Sequence, residues 1–261
     1  LIIEEVEIFL APAGHVLGSA QVVMNFANQV ITVSGDYKRQ DDPTCAAFEP
    51  IKSDIFITEA TFALPVFKHP NANTQINLLI KSIQNFPERC HVIGVYSLGK
   101  AQRLIKMLRN NGWHNTIYLH GSLVKICNLY EKFGIDLGDL EPATIQDKPE
   151  KPHDFYKGKL ILAPPSALAD RWSRRFPDPI LGMASGWMTV KQRAKQRGIN
   201  LPLILSDHAD WNEILTTIKE VSPKEVWITH GAEEALIYEC SKNNLTAKAL
   251  SIIGYESDTD L

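Results

Sequence analysis

The feature that most constrains the fold of this chain is the alternation of short apolar runs with stretches of helical periodicity. Apolar side chains recur at helical spacing in four stretches, residues 73–85, 100–109, 211–221 and 232–243. Between them lie the strand-sized runs at residues 6–10, 21–26, 30–34, 54–58, 91–96, 116–119, 159–162, 203–205 and 225–229. Runs 21–26 and 30–34 predict a hairpin. The alternation predicts an α/β fold with parallel strands and flanking helices.

Composition excludes several classes of protein. The 261 residues are 44% hydrophobic and 22% charged, which is typical of a globular chain and not of a disordered or fibrous one. No apolar run approaches the ~20 residues of a membrane helix, and no signal peptide precedes the first strand. The four cysteines are widely spaced and are expected to be reduced thiols of a cytoplasmic protein. The net charge of -3 argues against a general basic coat.

Five polar residues stand where predicted strands end, namely His15, Asp36, Glu59, His208 and His230. Taken singly, each has a simpler interpretation as a helix cap or a satisfied loop residue. Together, three histidines and two carboxylates favour a site for zinc or manganese, in which one carboxylate can bridge two ions. The remaining histidine and glutamate would form an acid–base pair.

The chain resembles the β-CASP nucleases of the metallo-β-lactamase superfamily in the order and spacing of its motifs. The segments that carry the resemblance are 13–20 (AGHVLGSA), 34–37 (SGDY), 57–62 (ITEATF), 206–210 (SDHAD) and 228–231 (ITHG). Segment 184–188 (ASGWM) adds a likeness to the bacterial DNA-ligase-associated exonucleases. The mRNA 3′-end-processing endonucleases are more distant relatives.

This resemblance implies a fold, a domain division and a set of roles. The fold would be an αββα metallo-β-lactamase sandwich, incomplete at its N-terminus, with an inserted α/β β-CASP domain. Residues 1–65 and 204–261 would form the first domain, and residues 66–203 the second. His15 would bind one metal ion, Asp36 would bridge both ions and His230 would bind the second. His208 would protonate the leaving oxygen, with Glu59 hydrogen-bonded behind it.

One expected motif is missing from the sequence. The superfamily signature His-x-His-x-Asp-His supplies most of the metal ligands, and the chain contains no His-x-His. The sequence starts at Leu1 with what reads as the middle of a domain, so we expect an N-terminally incomplete chain. A natural paralogue that has lost its metals is the alternative. In either case, the chain alone is expected to bind metal poorly and to hydrolyse little.

Two groups of residues are candidates for nucleic-acid contacts. Ser97 and Lys100 lie at a strand–helix turn where helix amides can meet a phosphate, and Ser185 with Gly186 offers amides in the same way. Basic residues then dominate segment 171–200, with Arg171 and Lys191 as examples, and tryptophans lie between them. An ordinary turn, a solvated helix face and core packing of the aromatic rings are the competing interpretations.

The function implied is a two-metal nuclease that hydrolyses phosphodiesters of single-stranded DNA or RNA. A DNA exonuclease acting in repair, with a DNA ligase and a helicase as partners and with no membrane association, is our first expectation. An RNA-processing nuclease is the alternative, because β-CASP members with a histidine at the position of His230 are typically RNA enzymes. A catalytically dead nucleic-acid-binding scaffold is the third reading.

Overall fold

The computed structural model describes residues 1–143, 155–176 and 178–250. These residues divide into two compact units. The first unit consists of residues 1–41, 45–68 and 207 onwards, and the second consists of residues 42–44 and 69–206. The predicted boundaries, after residues 65 and 203, lie three residues before the main divisions. Most of the loop predicted over residues 147–157, and the predicted C-terminal part beyond residue 250, lie outside the described residues.

The strands are numbered in chain order. They are β1 (Ile2–Ile3), β2 (Val6–Pro12), β3 (Ala20–Phe26), β4 (Gln29–Val33), β5 (Ile55–Ala60), β6 (His91–Gly94), β7 (Ile117–Leu119), β8 (Leu140–Pro142), β9 (Leu160–Ala163), β10 (Ile180–Ala184), β11 (Leu201–Leu203), β12 (Glu225–Gly231) and β13 (Thr246–Ala249).

The α-helices of the described residues are also numbered in chain order. They are α1 (Ala72–Asn85), α2 (Lys100–Asn110), α3 (Gly121–Lys132), α4 (Lys191–Gln196), α5 (Trp211–Val221) and α6 (Glu233–Lys242). Three short 3₁₀ helices cover Pro165–Leu168, Ser173–Arg175 and Gly186–Thr189. Within the described residues, we find no helix with both the length and the apolarity that a membrane crossing requires.

A seven-stranded sheet in the order β1-β2-β3-β4-β5-β12-β13 forms the first unit. Strands β1 to β4 pair antiparallel, whereas β4, β5, β12 and β13 pair parallel. Ala27 and Asn28 both have positive φ angles, 48° and 61°, as a two-residue hairpin turn between β3 and β4 requires. The predicted hairpin is therefore confirmed.

Helices α5 and α6 share one hydrophobic core with this sheet. Phe56 and Val226 point from the sheet into a buried cluster that contains Ile214 and Ile218 of α5 and Leu236 of α6. The α/β class is thus confirmed, and the described residues of this unit form one sheet with two helices rather than both sheets of an αββα sandwich.

The second unit is built on a six-stranded parallel sheet in the order β11-β10-β6-β9-β7-β8. The strand predicted at residues 203–205 was misplaced, because β11 is Leu201–Leu203 and contains Pro202. A proline lacks the N–H of a ladder bond and is tolerated here because β11 is an edge strand. Since all pairs are parallel, the carboxyl ends of β6 and β10 meet at one edge of the sheet.

Candidate functional site

The five polar residues singled out in the sequence lie in the first unit and converge there. Their imidazole nitrogens and carboxylate oxygens form two overlapping triplets, His15–Asp36–His208 and Asp36–Glu59–His230. Within each triplet, the three atoms that could bind a metal ion lie within 4.8 Å of one another. Five residues that are spread between positions 15 and 230 of the chain therefore form a single polar cluster, as the order of the motifs predicts.

His15 lies in the turn between β2 and β3, and its ring orientation is fixed. The Nδ1 atom lies 2.9 Å from the carbonyl oxygen of Asp207, which only accepts hydrogen bonds, so Nδ1 carries the proton. The lone pair of Nε2 is then free, and this atom lies 3.9 Å from Oδ2 of Asp36. Gly14 has a φ of +73°, and a Cβ there would lie 2.6 Å from the carbonyl oxygen of Lys38. Only glycine fits this turn.

Asp36 follows β4 and lies between two histidines. Its Oδ1 atom is 3.4 Å from Nε2 of His230, while its Oδ2 atom faces His15. The hydrogen bond to His230 lowers the pKa of the Asp36 carboxyl, with burial opposing it and the neighbouring histidines assisting. The same hydrogen bond raises the pKa of His230. An aspartate with each oxygen turned towards a different imidazole is well placed to bridge two cations.

His230 lies inside β12 and not after it, which corrects the strand predicted to end at residue 229. The pairing of β12 with β5 shifts register between Thr229 and Gly231, and His230 has a φ of +32°. Gly231 has a φ of +108°, and a Cβ there would lie 2.1 Å from the carbonyl oxygen of Ala60. This bulge re-aims the imidazole towards Asp36, a role that β-bulges commonly play at functional sites.

Glu59 and His208 form a direct hydrogen-bonded pair beside the residues expected to bind metal. Glu59 lies inside β5, not after the strand as predicted, and its side chain is fully buried. Nδ1 of His208 lies 3.0 and 2.9 Å from the two carboxylate oxygens, so the carboxylate fixes the proton on Nδ1 and leaves Nε2 outward. The rings of His208 and His15 lie 4.9 Å apart.

The start of helix α5 holds the His208 segment in place. Asp210 accepts a hydrogen bond from the backbone N–H of Glu213, and the Glu213 carboxylate accepts one from the N–H of Asp210. This capping box makes Asp210 the N-cap of α5 and fixes the entry of the chain into the helix two residues after His208.

The donor set of this cluster fits a divalent metal only in part. Imidazole nitrogens and a bridging carboxylate are ligands that zinc and manganese prefer. His15, Asp36 and His230 nevertheless supply fewer ligands than two tetrahedral ions need. The cluster thus has the right chemistry for metal, and the described residues provide part of the ligand shell.

Two of the predicted nucleic-acid contacts follow neighbouring strands of the second unit. Ser97 comes after β6, and its carbonyl oxygen accepts a hydrogen bond of 3.0 Å from the Gln102 side chain. Lys100 begins α2 and is buried, with its Nζ atom 4.6 Å from the Tyr96 ring centre. Ser185 follows β10, is buried and caps the Gly186–Thr189 turn by accepting from the N–H of Trp187. Gly186 is buried as well.

The other predicted contacts lie on exposed segments. Arg171 precedes the Ser173–Arg175 turn, and Lys191 is the first residue of α4. Both are exposed to solvent. Tryptophans near each of them carry stacked guanidinium groups, with Arg175 5.3 Å from the Trp172 ring and Arg193 4.1 Å from the Trp187 ring. Each of these two segments thus places basic side chains beside a partly buried tryptophan ring.

Three participants in the first-unit cluster were missed by sequence reasoning. Tyr37 donates its N–H to Oε1 of Glu59 and accepts a hydrogen bond from the N–H of Ala209 through its carbonyl. Thr61 donates its hydroxyl to Oε2 of Glu59, and Asp207 holds His15 through its carbonyl. Tyr37 and Asp207 make these contacts through backbone atoms, which leave no mark in a sequence. Thr61 lay inside the quoted motif, two residues after Glu59 and so on the same side of an extended chain.

Comparisons with known proteins find a family match and several relatives. Residues 202–241, which include His208 and His230, match the RMMBL family, described as a Zn-dependent metallo-hydrolase RNA specificity domain. A "Probable DNA ligase" from Opitutus terrae is 26% identical over 254 residues, covering 92% of this chain and 23% of that protein. The Drosophila melanogaster cleavage and polyadenylation specificity factor 73 is 36% identical over 124 residues, covering 44% of this chain and 18% of that protein.

The fold has a counterpart among solved structures. The crystal structure of a protein of unknown function from Enterococcus faecalis V583 superposes with a TM-score of 0.61 at 13% identity, covering 98% of this chain and 64% of that one. At this identity the likeness concerns the fold alone. The chain spans less than a quarter of the length of the two relatives named above.

Proposed function

We propose, from the homology of this chain to DNA-ligase-associated and mRNA 3′-end-processing β-CASP proteins, that it belongs to a metal-dependent phosphodiester hydrolase. One observation carries the proposal. Two histidines face the separate oxygens of one aspartate, and a buried Glu59–His208 pair lies beside them. The homologue named as a probable DNA ligase supports a DNA exonuclease that works with a ligase as the first choice.

In this proposal, each residue has a defined task. His15, Asp36 and His230 would hold the divalent cations. Zinc or manganese ions, when bound, would supply a nucleophile and neutralise charge on the phosphate. Glu59 keeps the proton of His208 on Nδ1, so that Nε2 faces outward as the proton-exchanging atom. In its doubly protonated form, His208 donates the Nε2 proton to the departing oxygen.

The ligand count determines where this activity is expected. Three protein ligands do not complete two metal sites, so we assign the activity to a form of the protein that supplies the remaining ligands. A chain without them is expected to be a nucleic-acid-binding scaffold at most. Its four cysteines are free thiols, which supports a cytoplasmic location.

RNA processing is the second candidate. It is supported by the matched family, described as an RNA specificity domain, and by the relative named as a cleavage and polyadenylation factor. The histidine at position 230 favours the same reading, since it adds a metal ligand typical of the RNA-acting relatives. Single-stranded DNA and RNA are therefore both substrates to be tested, and a DNA ligase and a helicase are proposed partners.

The test is a nuclease assay of the full-length protein on matched labelled DNA and RNA oligonucleotides with Mn²⁺ or Zn²⁺. We expect preferential cleavage of DNA. In His208→Ala, turnover should fall by about 10²- to 10⁴-fold, because a general acid is lost. Bound metal, measured by atomic absorption, should remain nearly unchanged.

Three outcomes would contradict parts of this proposal. Preferential RNA cleavage would replace the first choice by the second. Loss of metal from His208→Ala would make that histidine a ligand. Absence of both metal and hydrolysis in the full-length protein would favour the scaffold.

A further inference from the structure

The Glu59 carboxylate is buried, and its hydrogen bonds define how it meets His208. Its side chain has no exposed surface. A carboxylate in such a position is stable as an anion only when donors surround it. The structure supplies three of them, namely the N–H of Tyr37 at 2.8 Å, the hydroxyl of Thr61 at 2.5 Å and the Nδ1–H of His208.

The donors are divided between the two oxygens. Tyr37 holds Oε1, and Thr61 holds Oε2. Nδ1 of His208 lies at almost equal distances from both, 3.0 and 2.9 Å. The carboxylate is thus pinned on each side, and its plane is turned so that both oxygens point at one imidazole nitrogen. Tyr37 contributes a backbone atom, so Thr61 is the side chain whose hydroxyl sets this rotation.

The position of Thr61 depends in turn on the bulge that carries His230. A Cβ at Gly231 would come 2.8 Å from the Thr61 nitrogen, which shows how closely the two backbones pack. Ala232 also donates its N–H to the carbonyl oxygen of Ala60. The backbone of residues 60 and 61 is therefore held against β12, which places Thr61 beside Glu59.

We infer that Thr61 is a positioning residue for the Glu59–His208 pair, an inference that rests on the proposed function. It acts through the Glu59 carboxylate, which its hydroxyl contacts. Its hydroxyl donates to a carboxylate, and a hydrogen bond to an ionised acceptor is stronger than one between neutral groups. Without this donor, Glu59 can rotate, and His208 loses the fixed proton on Nδ1 that keeps Nε2 available.

The first experiment uses this chain and needs no activity. Thr61→Val keeps the branched shape and removes only the hydroxyl, while Thr61→Ser restores it. Histidine side chains labelled with ¹⁵N report by NMR which ring nitrogen of His208 carries the proton. The wild type and Thr61→Ser should show a single Nδ1–H tautomer, and Thr61→Val should show a mixture. Circular dichroism and thermal unfolding of the three proteins show whether each variant is folded.

The second experiment uses the full-length protein. Kinetic studies of Thr61→Val should show kcat lowered by about 10- to 100-fold, the range seen when an outer partner of a site residue is removed. KM should remain within about twofold, and Thr61→Ser should recover most of the turnover. A general structural role would instead change unfolding, kcat and KM together.

The outcomes separate this inference from the proposed function. An unchanged His208 tautomer in a folded Thr61→Val protein would overturn the positioning role, whatever the enzyme does. A mixed tautomer in Thr61→Val, together with an inactive full-length wild type, would support the positioning role and count against the nuclease. If Thr61→Val does not fold, a failure of Thr61→Ser to preserve the tautomer would overturn the inference.

Discussion

In the first unit, Asp36 is hydrogen-bonded to His230, and Glu59 to His208, so that the chemistry-bearing side chains hold one another. In the second unit, the Ser185 hydroxyl is engaged by the N–H of Trp187, and the Ser97 carbonyl by Gln102. Ser185 and Ser97 are thus held by partners that are close to them in the sequence. Reciprocal bonds between distant positions are the stronger sign of a chemical site, since local capping explains the second pattern without any ligand.

Replacing Asp36 is the most severe way to break the first cluster. Asp36→Ala removes the carboxylate whose two oxygens face His15 and His230. In the full-length protein, we expect loss of bound metal by atomic absorption and no measurable hydrolysis. Glu234→Ala, which removes an exposed carboxylate of the same unit, is the matched control. Metal content equal to that of the control would show that Asp36 is not a ligand.

The next largest effect concerns the bulge of β12. In Gly231→Ala, the new Cβ would lie 2.1 Å from the Ala60 carbonyl oxygen, so the strands must separate. We expect a loss of about 2–4 kcal/mol in the free energy of unfolding, measured by urea denaturation. Gly112 has a similar positive φ but open space around it, and Gly112→Ala should cost only about 1 kcal/mol. Equal losses would mean that backbone conformation alone, and not contact with β5, demands the glycine.

One histidine in each unit is expected to make the stability of the protein depend on pH, and the two act in opposite directions. Beside Asp36, the pKa of His230 is raised, whereas burial lowers the pKa of His91 in the second unit to about 4. Between pH 6.5 and 4, the unfolded chain binds a proton at His91 and the native chain does not, so His91 makes stability fall as the pH falls. The free energy of unfolding is expected to be about 2–4 kcal/mol lower at pH 4 than at pH 6.5 because of His91.

Urea denaturation across this pH range measures the effect. His91→Gln keeps a polar partner for Ser82 and has no titration, so its stability should depend less on pH than that of the wild type. Identical pH profiles of the two proteins would show that His91 is protonated in the native state.

The smallest expected effect tests the two exposed basic segments of the second unit, at Arg171 and at Lys191. Lys191→Ala should weaken binding of a single-stranded oligonucleotide a few-fold and reduce the slope of log affinity against log salt by about 1. Arg171→Ala should act in the same way. Lys219→Ala, an exposed lysine at the end of α5, is the control. If all three variants bind alike, the second unit has no preferred nucleic-acid surface at these residues.

Sequence patterns predicted some elements of this molecule better than others. Helix α5 was predicted with its full bounds because an N-cap aspartate precedes a regular apolar face. Helix α3 was not predicted, since it begins with the unusual cap His120, which accepts from the N–H of Ser122. The ends of β5 and β12 were set too early because Glu59 and His230 are polar, and polarity was read as the end of the strand.

The same limit applies to the site. The order of the motifs placed all five polar residues in one cluster, because each is marked by its side chain. Their hydrogen-bond directions depend on the backbone of Tyr37 and Asp207, whose contribution is independent of residue type. Reasoning from side chains alone therefore identifies the members of this site but not what orients them.

The bulge in β12 places different requirements on the side chains of two adjacent positions, 230 and 231. The side chain at position 230 projects from a backbone that is already turned, so other amino acids tolerant of this conformation can occupy it while the sheet stays closed. Position 231 has no such freedom, since any side chain would strike the neighbouring strand. Chemistry at this corner of the protein can thus diverge by changing a single residue, provided that the glycine following it is retained.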